Sequence, residues 1–311
     1  MSEGGGSEDG PRLPTPAQGG LEFHLFLPQL RLDPAALEGR ARAAEAAGFD
    51  GLALMDHLAP PGALDQPMFE AFTAATWLAA ITERLRLGHL VLCDGFRHPA
   101  VLARQAVTLD HLSGERFELG IGSGSTPAEL ATFGFGSHSG AQRVERLGET
   151  LELLSRFWSG ESVEYRGRFF QVEGGRQLPV PRTRIPIVIG GTGPATMKLV
   201  GRYADWWNVP IHQLDRLATA RPEAGRARVS VQLLVTLVTD ESRRSEVVGT
   251  ADRRFGRMGQ EAHVAGSADE LVVRMAALRD QGVERIYAWF TDFAPPDTLA
   301  AFGQEVIAQL R

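Results

Sequence analysis

One cysteine and one lysine, Cys93 and Lys198, stand in a chain of 311 residues. A single thiol excludes an intramolecular disulfide and a metal cluster built on cysteines. No apolar run approaches the roughly 18 residues that a membrane helix requires. The first twenty residues, MSEGGGSEDGPRLPTPAQGG, have neither a basic stretch nor an apolar one, so they do not form a secretory signal. They are expected to be a disordered tail over 1–20, ahead of one domain over 21–311, in a cytoplasmic protein. Cationic excess is also missing. The 32 basic residues face 38 acidic ones, the formal charge is −6, and no basic block occurs, so the sequence carries no electrostatic footprint for nucleic acid. No H-E-x-x-H or G-x-S-x-G is present, and the histidines lack metal-ligand spacing, so zinc and serine hydrolases lose their support. With 43% hydrophobic and 23% charged residues, the composition is that of a soluble globular protein, for which an enzyme acting on a small molecule is the default expectation.

Apolar runs then alternate with helical periodicity along the whole chain. Leu21–Leu27 reads as a strand. Asp33 and Pro34 open a helix that Gly48 closes, and Phe49–Met55 is the next strand, ending on Asp56-His57. Met68–Thr82 reads as an apolar helix and Leu85–Cys93 as a strand. Pro99 opens a helix closed at Gly114, and Arg116–Gly122 is again a strand. Val144, Leu147, Leu151, Leu154 and Trp158 form an amphipathic stripe over 141–158. A hairpin over Val163–Val172 interrupts the alternation. It resumes with Ile187–Ile189, Asp205–Val209, Val229–Val238 and Arg285–Phe290, with a charged helix over Glu241–Met258 and a capping box at Ser267-x-x-Glu270. About eight strands, each followed by a helix and too apolar to have a wet face, indicate an α/β barrel or a doubly wound sheet, the count favouring the barrel. In both, chemistry gathers at the strand C-termini.

Three strand ends carry candidate motifs. Gly120-Ile121-Gly122-Ser123-Gly124-Ser125 resembles a dinucleotide fingerprint, but the third glycine of that motif would fall on Ser125 and Pro127 follows. Glycines that let backbone approach a flat ligand are the better reading. Gly190-Gly191-Thr192-Gly193-Pro194, between a strand and a helix, either binds an anion at free N–H groups or is a tight turn alone. His57 can shuttle a proton near neutral pH beside the Asp56 carboxylate. Asp110-His111, the same dipeptide at a helix end, reads as structural. Trp206 and Trp207, as strand neighbours, should face opposite ways, one to core and one to pocket.

Residues 45–57, the run Leu87-Gly88 through Phe96-Arg97-His98-Pro99 and Leu109–Phe117, and Leu119–Gly124 together resemble the bacterial-luciferase-like monooxygenase superfamily. Arg143–Leu147, Trp158-Ser159-Gly160, Ile187–Gly191 and Ala204–Asn208 extend the resemblance, which is greatest with the branch that uses the deazaflavin coenzyme F420. It implies a TIM (β/α)8 barrel with insertions, assembled as a homodimer. It also implies an F420-dependent oxidoreductase that moves a hydride to or from the deazaflavin C5, with His57 as acid/base.

The alternative within the superfamily is an FMN-dependent monooxygenase using reduced flavin and O2. A deazaflavin lacks the ring nitrogen that supports oxygen chemistry, so the two cofactors imply different reactions. By the same resemblance Asp56 would contact the ring or its ribityl chain. Leu90, Val91 and Cys93 would form the bulged strand behind the ring, with a non-proline cis peptide at Leu90–Val91. Gly122 and Ser123 would lie beside the cofactor, and Gly190, Gly191, Thr192, Gly193, Pro194 and Ala195 would hold its phosphate. Ser125 stands where sugar-phosphate-oxidising members have a glutamate, and the tryptophan expected after Asp56-His57 is replaced by the Pro60-Pro61 region. Both departures argue against a sugar phosphate as substrate. The loops Ala59–Gln66, Ser125–Gly140 and Val209–Ala224 are expected to set specificity.

Overall fold

The computed structural model describes residues 20–256 and 263–311. Residues 1–19 of the expected tail, and the end of the helix expected to run to Met258, lie outside the described residues. The strands are β1 (Glu22–Phe26), β2 (Gly51–Leu54), β3 (Arg86–His89), β4 (Leu92–Cys93), β5 (Leu119–Gly122), β6 (Val163–Arg166), β7 (Gln171–Gly175), β8 (Ile187–Gly190), β9 (Trp206–Val209), β10 (Arg228–Leu237), β11 (His263–Gly266) and β12 (Arg285–Phe290). One parallel sheet runs β3-β2-β1-β12-β10-β9-β8-β5-β4, with β11 added to β10. β3 and β4 are two halves of one run, and a parallel bridge from Leu87 to Phe117 brings β3 against the entry to β5. The ring thereby closes as a TIM barrel. β6 and β7 form a separate antiparallel hairpin, the insertion expected over Val163–Val172.

Two helices begin at the caps their sequences mark. The Asp33 side chain accepts from the Ala36 N–H ahead of helix Pro34–Ala46, and Ser139 and Gln142 form a capping box ahead of Gly140–Trp158. Leu147, Leu151 and Leu154 bury the middle of the expected stripe. The apolar helix expected over Met68–Thr82 is shorter, Ala71–Ile81. Met68 is taken by a bridge to Leu30, and Glu70 caps the helix through the Thr73 N–H. Two of the expected loops contain helical turns, at Pro127–Thr132 and over Ile211–Ala224.

Strand register builds the barrel interior in tiers. Glu22, His24 and Leu25 pair with Arg285, Tyr287 and Ala288, so side chains two residues apart enter the barrel at successive heights. At the N-terminal end Arg285 donates to Glu22 at 2.5 Å and to Glu118 at 2.6 Å. His24 meets Tyr287 edge-on above them at 5.1 Å, and Phe26 meets Trp289 higher still at 5.2 Å. Most of the apolar core lies elsewhere, between the sheet and the helices. Trp206 and Trp207 do face opposite ways, but neither lies at the expected pocket. Trp207 is in the outer core, whereas Trp206 lies at the N-terminal end under Arg285, 3.7 Å from ring centroid to guanidinium carbon. Strand alternation accounts for the opposition of the two rings; their height on β9 decided the rest.

Candidate active site

The C-terminal ends of the strands open into a cavity of about 1150 Å³. Asp56, His57, Leu90, Val91, Cys93, Gly122, Ser123, Gly190, Gly191, Thr192 and Gly193 all line it. Pro194 and Ala195 do not. They are exposed in the first turn of helix Pro194–Tyr203, and Thr196, one residue on, reaches the wall instead.

Between β3 and β4 the chain bulges inward, and the Leu90–Val91 peptide is cis, at the bond the resemblance singles out. The glycines of β5 are explained by this bulge. A Cβ on Gly120 would stand 1.8 Å from the His89 carbonyl oxygen, and one on Gly122 would stand 2.8 Å from Val91 Cγ2. The expectation that these glycines admit a ligand is corrected at Gly120: its close neighbour is the chain's own backbone. Asp56 anchors the bulge from below. One of its oxygens accepts from the Cys93 N–H at 2.8 Å and from Arg97 at 2.6 Å, and the other accepts from Arg97 at 3.0 Å. Arg97 also reaches Glu70 at 2.7 Å. The Cys93 thiol is buried, and burial pushes its pKa up to about 11, which keeps it protonated and a poor nucleophile.

His57 has a partner that sequence reasoning missed. Its Nδ1 lies 2.7 Å from Glu129 Oε2, while Glu129 Oε1 accepts the backbone N–H groups of Leu58 at 2.6 Å and Ala59 at 3.1 Å. Glu129 comes from helix Pro127–Thr132, inside the segment expected to be a loop. A carboxylate therefore does serve this part of the pocket, a short way beyond Ser125. His57 Nε2 takes no hydrogen bond among the described residues. On the opposite wall, the glycine turn after β8 is held by the Trp207 indole, which donates to the Gly191 carbonyl at 2.8 Å, and by the Gly191 N–H, which donates to the Asn208 carbonyl at 3.1 Å. Thr192 Oγ1 donates to Gln213 Oε1 at 2.7 Å. No side chain caps helix Pro194–Tyr203, so its first amides stay available to an anion.

The site fits the implied cofactor. Pockets for one small ligand span roughly 300–1,000 Å³, so this cavity has room for a ring system and a substrate together. The bulge offers the ring a wall, and the uncapped helix start offers a phosphate its N–H groups. Asn208, His212, Gln213, Gln232 and Trp289 are also in the lining. Asn208 ends a stretch that carries the resemblance, and His212 and Gln213 lie in the loop expected to set specificity; Gln232 and Trp289 come from long-range strand order, and no local motif marks them.

Asp110-His111 is structural, as expected. His111 Nε2 lies 2.9 Å from the Val180 carbonyl, away from the cavity.

The family model of the luciferase-like monooxygenases matches residues 21–245. An F420-dependent glucose-6-phosphate dehydrogenase of Microbacterium testaceum is 33% identical over 205 residues, covering 62% of this chain and 60% of that protein. The chain thus matches about three fifths of that relative's length. A protein of the same name from Nakamurella multipartita is 30% identical over 324 residues, covering 89% of this chain and 93% of the relative. An F420-dependent secondary alcohol dehydrogenase, solved with an F420-acetone adduct, has a TM-score of 0.82 at 16% identity and covers 94% of this chain and 99% of its own. At that identity the likeness speaks for the fold.

Proposed function

Since this chain belongs to the luciferase-like monooxygenase family, we propose that it is an F420-dependent oxidoreductase moving a hydride between the deazaflavin and a small organic substrate. The names of the two sequence relatives support the cofactor. The observation that carries the reading is the His57–Glu129 pair on the wall of a cavity that also contains the Leu90–Val91 bulge. The bound deazaflavin would supply the two-electron chemistry, and the protein supplies orientation, proton transfer and a dry pocket.

Glu129, fixed by two backbone N–H groups, would accept a hydrogen bond from His57 Nδ1–H. That selects the tautomer whose Nε2 has a free lone pair toward the cavity. Such a nitrogen takes a proton from a substrate hydroxyl, and when protonated it returns one to a carbonyl. Gly122, Ser123 and the bulge would flank the ring, and Gly190–Gly193 with the helix start would hold its phosphate. Asp56 would act from behind, since its oxygens already serve Cys93 and Arg97.

Titrating the protein with F420 and with FMN tests the cofactor, and tight FMN binding without F420 binding would make the flavin monooxygenase the better reading. His57→Ala is expected to lower turnover about 100-fold or more, the lower end of what general acid–base catalysis contributes, with F420 affinity staying near that of the parent. Unchanged turnover would remove His57 from the chemistry. Glu129→Gln should also lower turnover and alter its pH profile, because an amide N–H facing Nδ1 favours the wrong tautomer.

A further inference from the structure

We infer that Arg97 is a positioning residue for the cofactor wall: by neutralising Asp56 it keeps that carboxylate on the Cys93 N–H, so that the bulge is tethered and no bare negative charge faces the cavity. The inference rests on the proposed F420 reading of this cavity and gives a task to a residue behind its wall. Asp56 lines the cavity with Leu90, Val91 and Cys93, whereas Arg97 is not in the lining. The Asp56 side chain is 3% exposed. Among the described residues its donors are the Cys93 N–H at 2.8 Å and two nitrogens of Arg97 at 2.6 and 3.0 Å. One backbone N–H does not compensate a buried carboxylate, but a bidentate guanidinium does. Burial opposes the charge on Arg97, yet Asp56 and Glu70 outweigh it and raise its pKa, so the cation persists.

The main chain around Arg97 is held without its side chain. Arg146 donates to the Asp94 carbonyl at 2.5 Å and to the Arg97 carbonyl at 3.1 Å, and it pairs with the Asp94 carboxylate. Glu70, the other partner of the Arg97 guanidinium, is 44% exposed and also accepts the Thr73 N–H at 2.6 Å. Water and the helix cap therefore serve Glu70 if Arg97 is lost. Asp56 has no such reserve. Without Arg97 its charge is best solvated by turning from the Cys93 N–H toward water in the cavity. The bulge then loses its tether, and a carboxylate confronts a cofactor that carries a phosphate.

Two variants test this without turnover, Arg97→Met and Arg97→Met combined with Asp56→Asn. F420 titration reads the wall, and the rate at which a thiol reagent labels Cys93, the chain's one cysteine, reads the tether in the ligand-free protein. Arg97→Met is expected to weaken F420 binding about tenfold, the scale of one like-charge interaction near a protein surface, and to speed Cys93 labelling. Adding Asp56→Asn should return binding and labelling to within about threefold of the parent, because an amide oxygen still accepts the Cys93 N–H and carries no charge. An arginine that only fills space predicts a double variant no better than the single one. That result, or an Arg97→Met protein that binds and labels like the parent, would overturn the inference. If Arg97→Met alone does not fold, the double variant decides: parent-like labelling supports neutralisation and fast labelling opposes it. Failure of the parent to bind F420 would count against the proposed function, while Cys93 labelling would still decide the role of Arg97.

Discussion

His57 and His89 lie near the same end of the barrel and meet opposite surroundings. His57 faces the cavity with Glu129 on its Nδ1. His89 is 1% exposed, stacked on Phe72 at 5.2 Å and edge-on to Phe117 at 6.1 Å. Burial holds its pKa down at about 4, and the attraction of the Asp56 carboxylate offsets only part of that effect. Between about pH 6.5 and 4 the unfolded chain binds a proton there that the folded chain does not. Stability is then complete above about pH 6.5 and falls as pH falls, by roughly 2 kcal/mol at pH 5 for this group. Urea unfolding at pH 7 and pH 5 measures the loss, and His89→Leu should reduce it. His24 is depressed in the same direction by burial, so part of the acid sensitivity should persist in that variant.

At the scale of elements, β5 and the β3–β4 bulge determine each other. The bulge comes so close that a side chain on Gly120 would meet the His89 carbonyl. Gly120→Ala is expected to cost about 3 kcal/mol or more, because backbone has to move to admit the methyl group. Gly39, half-buried in helix Pro34–Ala46 with nothing within 4 Å of where a Cβ would stand, is the matched control. There the same change should stabilise by about 0.5–1 kcal/mol, through helix propensity and the unfolded chain. Denaturation midpoints of the two variants decide. The sequence marks β5 as glycine-rich without saying what approaches it, since the approaching bulge comes from the other side of a whole helix in the chain.

Taken as a whole molecule, the barrel has two ends with different chemistry. The N-terminal end is closed by Arg285 between Glu22 and Glu118, with Trp206 against the guanidinium. Burial opposes the charge on Arg285, yet the carboxylates of Glu118 and Glu22 outweigh it and hold the pKa well above its ordinary value. Arg285→Met would leave Glu22 with Arg228 at 2.9 Å and Glu118 with Arg86 at 3.6 Å as their remaining cationic partners, so the loss is expected toward the lower end of the about 3–5 kcal/mol that removing one partner of a buried pair costs. Chemical denaturation should show a loss of that size, partly recovered when Glu118→Gln is added, because the second change removes the carboxylate whose remaining partner, Arg86, is the more distant one. The C-terminal end is open, and its cavity is lined by strand ends that meet only when the ring closes.

Much of this arrangement is local and was legible. The alternation of apolar strands with capped helices determines a parallel α/β architecture, barrel or doubly wound sheet, because each helix has one apolar face that must cover a sheet, and the strand count favours the barrel. Residues at strand ends, among them Asp56, His57 and the glycine turn after β8, are readable from the same alternation, and the resemblance located the cis bond at Leu90–Val91. Tertiary structure decided the partners. Glu129 meets His57 across 72 positions of sequence, Asp56 is taken by Arg97, and Trp289 joins Phe26 across the first and last strands of the ring. Strand order and register bring these side chains together, and a periodicity of two or of 3.6 residues carries no record of which strand will lie beside which.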